Sequence, residues 1–132
     1  MGNTVLIVED QFLIAIGIED TVTSLGYEVA GIAASRNQAL GYLEEIDVAF
    51  VDVNLADGPT GPEIGRLLAN HGSSVVFMTA NPEAVAGGVE GTLGVLTKPV
   101  DESVLSKVLR FVTDKRKGQN PSCPDALKLF AH

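Results

Sequence analysis

The sequence predicts an α/β domain in which helices cover both faces of a parallel β-sheet. Short β-branched runs alternate with longer segments of helical periodicity, which is the pattern of successive βαβ units. The short runs are almost continuously apolar, as is typical of strands buried on both faces. A length of 132 residues with 45% apolar side chains fits one domain with a single core.

Five strands are predicted, each a run of four or five mostly apolar residues. A clean alternation of apolar and polar residues, which would indicate an open antiparallel sheet, is missing from them. The predicted strands are residues 5–8, 29–33, 48–51, 75–78 and 93–96.

Five helices are predicted between and after these strands. The first carries an apolar stripe with 4-4-3 spacing, and Gly26 can end it in a left-handed conformation. Ser35 and Gln38 have the spacing of a capping box and begin the second. Pro62 suits the first turn of the third helix, over residues 62–70. The stripe of the first helix is Ile14, Ile18, Val22 and Leu25.

The last two helices differ in quality. The fourth, over residues 82–91, includes or adjoins three glycines, each of which costs about 1 kcal/mol relative to alanine, so we predict a short, easily frayed element. The fifth begins near Asp101 and has a strong apolar face. That face consists of Val104, Leu105, Val108, Leu109 and Val112.

The end of the chain has a different composition from the rest. A polar run with Gly and Pro over residues 114–121 indicates a linker, and residues 124–131 could form one or two helical turns with Leu127 and Phe130 on one side. We therefore expect a domain over residues 1–115 and a short C-terminal tail over residues 116–132.

Charge and composition exclude several classes of function. A formal net charge of −8 disfavours direct binding to nucleic acid or to anionic lipid. No apolar run approaches the roughly 20 residues of a membrane-spanning helix. Cys123 is the only cysteine, so an intramolecular disulfide is impossible and the cytoplasm is the expected location.

Polar side chains follow four of the predicted strands, where ligands collect in an open parallel sheet. Glu9 and Asp10 follow the first strand, Asp52 the third, Thr79 the fourth and Lys98 the fifth. Three carboxylates at one edge repel one another unless a cation joins them, which implies a hard divalent metal, with Mg²⁺ the natural candidate. Asp52 could then act as a nucleophile that forms an aspartyl phosphate, with Thr79 and Lys98 holding phosphoryl oxygens.

The order Glu9-Asp10, Asp52, Thr79-Ala80, Lys98-Pro99 resembles the receiver domain of bacterial two-component response regulators, over residues 3–115. This resemblance implies a flavodoxin-like fold with strand order 2-1-3-4-5 and a cis peptide bond before Pro99. It also implies that Asp52 is the phosphoacceptor and that Asp10, Asp52 and the Asn54 backbone carbonyl bind Mg²⁺, with Glu9 acting mainly through metal-bound water. One departure is Val95, where receivers often carry Tyr or Phe; we therefore expect the glycine-rich fourth helix to carry more of the conformational response.

We accordingly expect a phosphorylation-dependent switch that takes its phosphoryl group from a histidine kinase or phosphotransfer protein. It would catalyse its own phosphorylation and dephosphorylation rather than turn over a released substrate. With about 17 residues after the fifth helix, the signal should pass by protein contact, from a stand-alone receiver or from the excised receiver of a longer regulator. A homodimer is also possible.

Three other functions are weighed against this switch. A receiver-like interaction module would usually lack the acceptor, an acidic metal residue or the lysine, all of which are present. A phosphohydrolase with an aspartyl nucleophile typically has a second acid where this chain has Asn54, which cannot transfer a proton. A flavodoxin needs a first loop that cradles phosphate, and Glu9 and Asp10 would repel it.

Overall fold

A six-stranded sheet forms the centre of the computed structural model, which describes residues 3–131. Residues 1, 2 and 132, at the ends of the expected domain and tail, lie outside the described residues. The sheet order is β2-β1-β3-β4-β5-β6, with the first five strands parallel and β6 antiparallel to β5. The predicted flavodoxin-like order 2-1-3-4-5 is therefore confirmed. The strands are β1 Thr4–Val8, β2 Glu28–Ala33, β3 Val48–Asp52, β4 Ser74–Thr79, β5 Gly94–Thr97 and β6 Lys128–Leu129.

In the described part of the chain, four α-helices flank the sheet, two on each face. One face is covered by α1 (Phe12–Ser24) and α4 (Glu102–Arg116), and the other by α2 (Arg36–Leu40) and α3 (Gly61–Asn70). Neighbouring strand residues alternate between the two faces, so both faces of the sheet are buried. None of the helices within residues 3–131 is long and apolar enough to span a membrane.

The helix predicted over residues 82–91 is shorter than expected and is not α-helical. A 3₁₀ helix occupies Pro82–Val85, and a series of turns follows it. Gly88 and Gly91 have φ of 86° and 80°, a left-handed conformation that ends regular helical structure. The prediction of a short element is confirmed, but the prediction of an α-helix over residues 82–91 is wrong.

The apolar stripe predicted for α1 is displaced on the helix. Ile18 and Val22 are buried as expected, whereas Ile14 and Leu25 are 37% and 42% exposed. Ala15 and Thr21 complete the buried face instead. The helix is apolar on both sides, so the spacing of its large residues alone does not identify the face that meets the sheet.

Residues 124–131, predicted as helical turns, contain a strand instead. Lys128 and Leu129 pair with Val95 and Gly94 of β5, and the Phe130 amide donates to the Leu93 carbonyl at 3.0 Å. The unpaired backbone groups of an edge strand offer more hydrogen bonds than one isolated helical turn can make. The sequence pattern missed this because two residues are too few to show strand alternation.

Candidate functional site

The predicted site residues converge at the carboxyl edge of the parallel sheet. Glu9 and Asp10 follow β1, Asp52 is the last residue of β3, and Lys98 follows β5. Asp52 pairs in register with Met78, the residue before Thr79 at the end of β4. The sheet order thus brings together side chains that are up to 89 residues apart in the chain.

Three carboxylates form the acidic part of the site. One oxygen from each of Glu9, Asp10 and Asp52 lies within 4.8 Å of the other two. Glu9 and Asp52 are 1% and 6% exposed, whereas Asp10 faces solvent. The cluster is therefore open to solvent on the side of Asp10 and closed on the side of Glu9.

Lys98 bridges the two buried carboxylates. Its Nζ donates to Glu9 Oε1 at 2.6 Å and to Asp52 Oδ2 at 2.9 Å. Its backbone amide donates to the Thr79 carbonyl at 2.8 Å, and the Lys98-Pro99 peptide bond is cis, as the resemblance implies. The lysine is thereby anchored to β4 through its backbone while its ammonium group lies between two acids.

Burial and the neighbouring charges have opposite effects on the pKa values of Glu9 and Lys98. Burial raises the pKa of Glu9, and the hydrogen bonds from Lys98 and the Gln11 amide compensate only in part. Burial also works to lower the pKa of Lys98, but its bonds to Glu9 and Asp52 outweigh that effect and raise it. The lysine therefore keeps its charge at neutral pH, while the charge on Glu9 is disfavoured.

The donor set suits a hard divalent cation. Carboxylate oxygens converge from the ends of two strands, and within residues 3–131 the cluster contains no sulfur or imidazole ligand. The Asn54 amide makes a long contact of 3.4 Å with Asp52 Oδ1. The expected role of the Asn54 carbonyl as a ligand stays a prediction.

Thr79 is buried at the end of β4, and its hydroxyl contacts the loop beyond the strand. Thr79 Oγ1 accepts from the Asn81 amide at 3.1 Å and lies 3.4 Å from the Asn81 carbonyl. Ala80, the next residue, is exposed and leaves the approach open. Contact between the Thr79 hydroxyl and a phosphoryl oxygen remains a prediction.

The loop that follows Asp52 contains two features whose roles the sequence did not indicate. A side chain on Gly61 would collide with the Asp52 carbonyl and the Val53 backbone, so this glycine lets the start of α3 lie directly against the end of β3. Asp57 accepts from the Arg36 amide at 3.0 Å and from the Thr60 hydroxyl at 2.8 Å, which lowers its pKa. A glycine at the first residue of a helix could have signalled the close approach.

Comparison with known proteins agrees with this geometry. A family model described as response regulator receiver domain matches residues 5–110. The chain is 33% identical over 126 residues to the phyllosphere-induced regulator PhyR of Methylorubrum extorquens, an alignment that covers 89% of this chain and 47% of that protein. It is also 34% identical over 59 residues to the chemotaxis protein CheY of Thermotoga maritima, covering 43% of this chain and 49% of that one. The chain spans about half the length of PhyR.

Solved structures show the same relationship. The solution NMR structure of the Erythrobacter litoralis PhyR response regulator REC domain superposes with a TM-score of 0.73 at 34% identity, covering 92% of this chain and 95% of that one. The crystal structure of the response regulator PhyR from Brucella abortus gives a TM-score of 0.66 at 32% identity, covering 83% and 46% of the two chains. The chain belongs to the response regulator receiver domain family, whose members are phosphorylation-dependent switches of two-component signalling.

Proposed function

We propose that Asp52 accepts the phosphoryl group in this chain. The observation that carries the proposal is the position of the Lys98 ammonium group, 2.9 Å from Asp52 Oδ2 and inside a cluster of three carboxylates. Of those carboxylates, Asp52 is the one at the end of a central strand. It is 6% exposed, so a donor can still reach it from the solvent side.

The proposed transfer is a direct displacement at phosphorus. An Asp52 carboxylate oxygen forms a bond to the phosphorus of the donor, and the bond from phosphorus to the donor's nitrogen or oxygen breaks, with its electron pair leaving on the donor. Lys98 exchanges part of its contact with Asp52 for a phosphoryl oxygen, and Thr79 donates its hydroxyl to another. Attack of water on the same phosphorus returns Asp52 to its free form.

Glu9, Asp10, Asp52 and the Asn54 carbonyl would hold the magnesium ion. When bound, Mg²⁺ offsets the repulsion between the carboxylates and the incoming phosphoryl oxygens. Lys98, which contacts both Glu9 and Asp52, offsets part of the same repulsion from the opposite side.

The phosphoryl donor is proposed to be a histidine kinase or phosphotransfer protein that contacts α1. The start of this helix lies beside the site and exposes large apolar side chains, with Phe12 70% and Leu13 83% exposed. A cavity of about 580 Å³ between α1 and α4 reaches from Leu13 to Lys98. The downstream signal would pass to a protein target or to an output domain of a longer regulator, without direct contact with nucleic acid or membrane.

Intact mass spectrometry after incubation with acetyl phosphate and Mg²⁺ tests the acceptor. We expect the wild type to gain one phosphoryl group, and Asp52→Asn or the wild type with excess EDTA to gain none. No gain in the wild type would favour a phosphorylation-independent interaction module. Sustained hydrolysis of a generic phosphoester would favour a phosphohydrolase.

A pair of leucine variants tests the contact with the donor protein. Leu13→Asp should slow phosphoryl transfer from a phosphorylated donor protein by tenfold or more, because burying an unpaired carboxylate in an apolar contact costs more than the roughly 1.4 kcal/mol that corresponds to a factor of ten. Leu25→Asp, at the far end of α1 and 42% exposed, is the matched control and should transfer normally. Both variants should react normally with acetyl phosphate; equal slowing of both with the protein donor would contradict the proposed surface.

A further inference from the structure

The C-terminal strap, residues 119–131, contacts β5 in a way that no sequence pattern predicted. Its strand β6 pairs with Gly94 and Val95, the first two residues of β5. The Phe130 amide extends the pairing to the Leu93 carbonyl. The strap therefore occupies the backbone edge of β5 that the parallel sheet leaves open.

Two side chains anchor the strap, one on each face of the sheet. Leu127 is 4% exposed and belongs to the apolar core between the sheet and helices α1 and α4. Phe130 packs against the opposite core, with its ring centroid 6.3 Å from that of Phe77. Between these anchors, Lys128 and Leu129 are exposed. The strap thus crosses the edge of β5, with one side chain buried on each face of the sheet.

The two edges of the sheet are protected by different means. At the β2 edge, Glu28 is an exposed charge, and the register between β1 and β2 shifts after Val29, as at a β-bulge. Charges and bulges are devices that block pairing with another strand. The sequence of β5, Gly-Val-Leu-Thr, has no charge and no proline, and its pairing with β4 is regular. At this edge, the strap is the cover.

The edge of β5 is also shaped for close backbone contact. A side chain at position 94 would collide with the Lys128 carbonyl, so Gly94 lets the neighbouring strand approach. On the α3 side, β5 is flanked by the short 3₁₀ helix Pro82–Val85, and Phe130 packs against the same apolar cluster as Val85. Removal of the strap would expose both an unpaired backbone and apolar surface.

The backbone pairing of the strap is short, so its attachment rests mainly on the Leu127 and Phe130 side chains. Its strand is two residues long, and its first half stands off α4, leaving an open cavity of about 580 Å³ lined by Lys107, Arg110 and Pro121 among others. Gly118, with φ of 85°, turns the chain out of α4. These features allow the strap to detach while α4 and the parallel sheet stay intact.

We propose that the strap keeps the β5 edge closed, and that its release turns this edge into a pairing surface for a second copy of the chain. A second β5 supplies an edge with the same uncharged sequence and the same glycine. Two such edges related by a twofold axis pair antiparallel and are self-complementary. The strap and a second copy therefore compete for the same backbone groups.

The test compares full-length variants. Leu127→Ser combined with Phe130→Ser removes both anchors, and Leu129→Ser makes the same chemical change at an exposed residue between them. Sedimentation equilibrium should show concentration-dependent dimers of the double variant, while the wild type and Leu129→Ser stay at the lower mass. Hydrogen exchange should show the β5 amides that point away from β4 protected in the dimer and at least tenfold less protected on dilution.

Two results would overturn the proposal. One is a double variant with native circular dichroism that remains at the mass of the wild type over the whole concentration range. The other is a dimer in which the β5 amides that point away from β4 exchange freely. If the double variant does not fold, Phe130→Ser alone, which leaves Leu127 in the core, should show a weaker shift towards dimer; a mass equal to that of the wild type would then contradict the proposal.

Discussion

Glu9 is a buried carboxylate whose charge the fold tolerates rather than favours. It is 1% exposed, and burial raises its pKa above 4.5 despite the 2.6 Å contact with Lys98. Between pH 4.5 and this raised pKa, the folded chain holds a proton that the unfolded chain has released. The protonated Glu9 therefore stabilises the folded chain fully below pH 4.5, and this contribution is lost as the pH rises through the pKa of Glu9 in the folded chain.

The first prediction concerns Glu9→Gln. The free energy of unfolding of the variant relative to the wild type should increase as the pH rises from about 4.5 to about 7.5, because the variant has no proton to lose. Urea denaturation in EDTA buffers measures it. Glu90→Gln, an exposed carboxyl, is the control and should show a flat difference. A flat difference for Glu9→Gln as well would mean that burial does not disfavour its charge.

At the scale of single residues, most of the site could be predicted from the sequence. The rule that ligands collect at the carboxyl ends of parallel strands was sufficient to select Glu9, Asp10, Asp52 and Lys98. That Glu9 is buried while Asp10 is exposed could not be predicted, because two adjacent residues in a loop have no periodicity. The close approach of Gly61 to the Asp52 backbone likewise depends on the path of a loop.

Among the elements, α4 begins with a well-formed cap. The Asp101 side chain accepts from the Val104 amide at 2.8 Å. Asp101→Ala should lower the free energy of unfolding by about 1 kcal/mol, since an unsatisfied helix N-terminus costs roughly that much. Asp101→Asn keeps an acceptor oxygen and should recover most of the loss. Equal stability of all three proteins in urea denaturation would show that this cap contributes nothing.

Gly65 marks the tight contact between α3 and the sheet. It is buried, and an added Cβ would overlap the Phe77 ring. Gly65→Ala should therefore cost about 1–3 kcal/mol, although alanine is the better helix former. Gly87→Ala places the same methyl group in open space at an exposed turn and should change stability by less than about 0.5 kcal/mol. A stabilised Gly65→Ala would mean that α3 can move away from the sheet.

The elements that the sequence predicted well are those with a long apolar face or a continuous apolar run. The fifth predicted helix matches α4 at its start and in its buried face, and five strands match the apolar runs. The region after β4 differed from the prediction because three closely spaced glycines, Gly87, Gly88 and Gly91, are compatible with either a frayed helix or a series of turns. The strand β6 was not predicted because it forms by pairing with β5, and two residues are too few to show the alternation of a strand.

At the scale of the whole molecule, Arg116 joins the end of α4 to the edge of the sheet opposite the site. Its guanidinium donates to the Gly72 carbonyl and to Ser74 Oγ, both at 3.0 Å, and to Asp47 Oδ1 at 3.3 Å. These partners precede or begin β3 and β4 at their amino ends. The sequence pattern indicated a linker over residues 114–121, whereas the helix continues to Arg116, whose contacts form only once the sheet is assembled.

Arg116→Ala should separate stability from phosphorylation. The variant should lose about 1 kcal/mol of unfolding free energy, a modest value because the Arg116 side chain is 29% exposed. Its rate of phosphorylation by acetyl phosphate should equal that of the wild type, since the residue lies at the other end of the sheet. Lys117→Ala, the exposed neighbouring cation, is the control. A slowed phosphorylation in Arg116→Ala would show that the two edges of the sheet are coupled.

Chemical mapping of the phosphorylated residue tests the central assignment most directly. The chain is phosphorylated with acetyl phosphate and Mg²⁺ and then treated with borohydride, which reduces an acyl phosphate to an alcohol, and the reduced residue is located by peptide mass spectrometry. The account predicts conversion of Asp52 alone to homoserine. Conversion at Glu9 or Asp10, or an unmodified Asp52 in a chain that has gained phosphate, would contradict it.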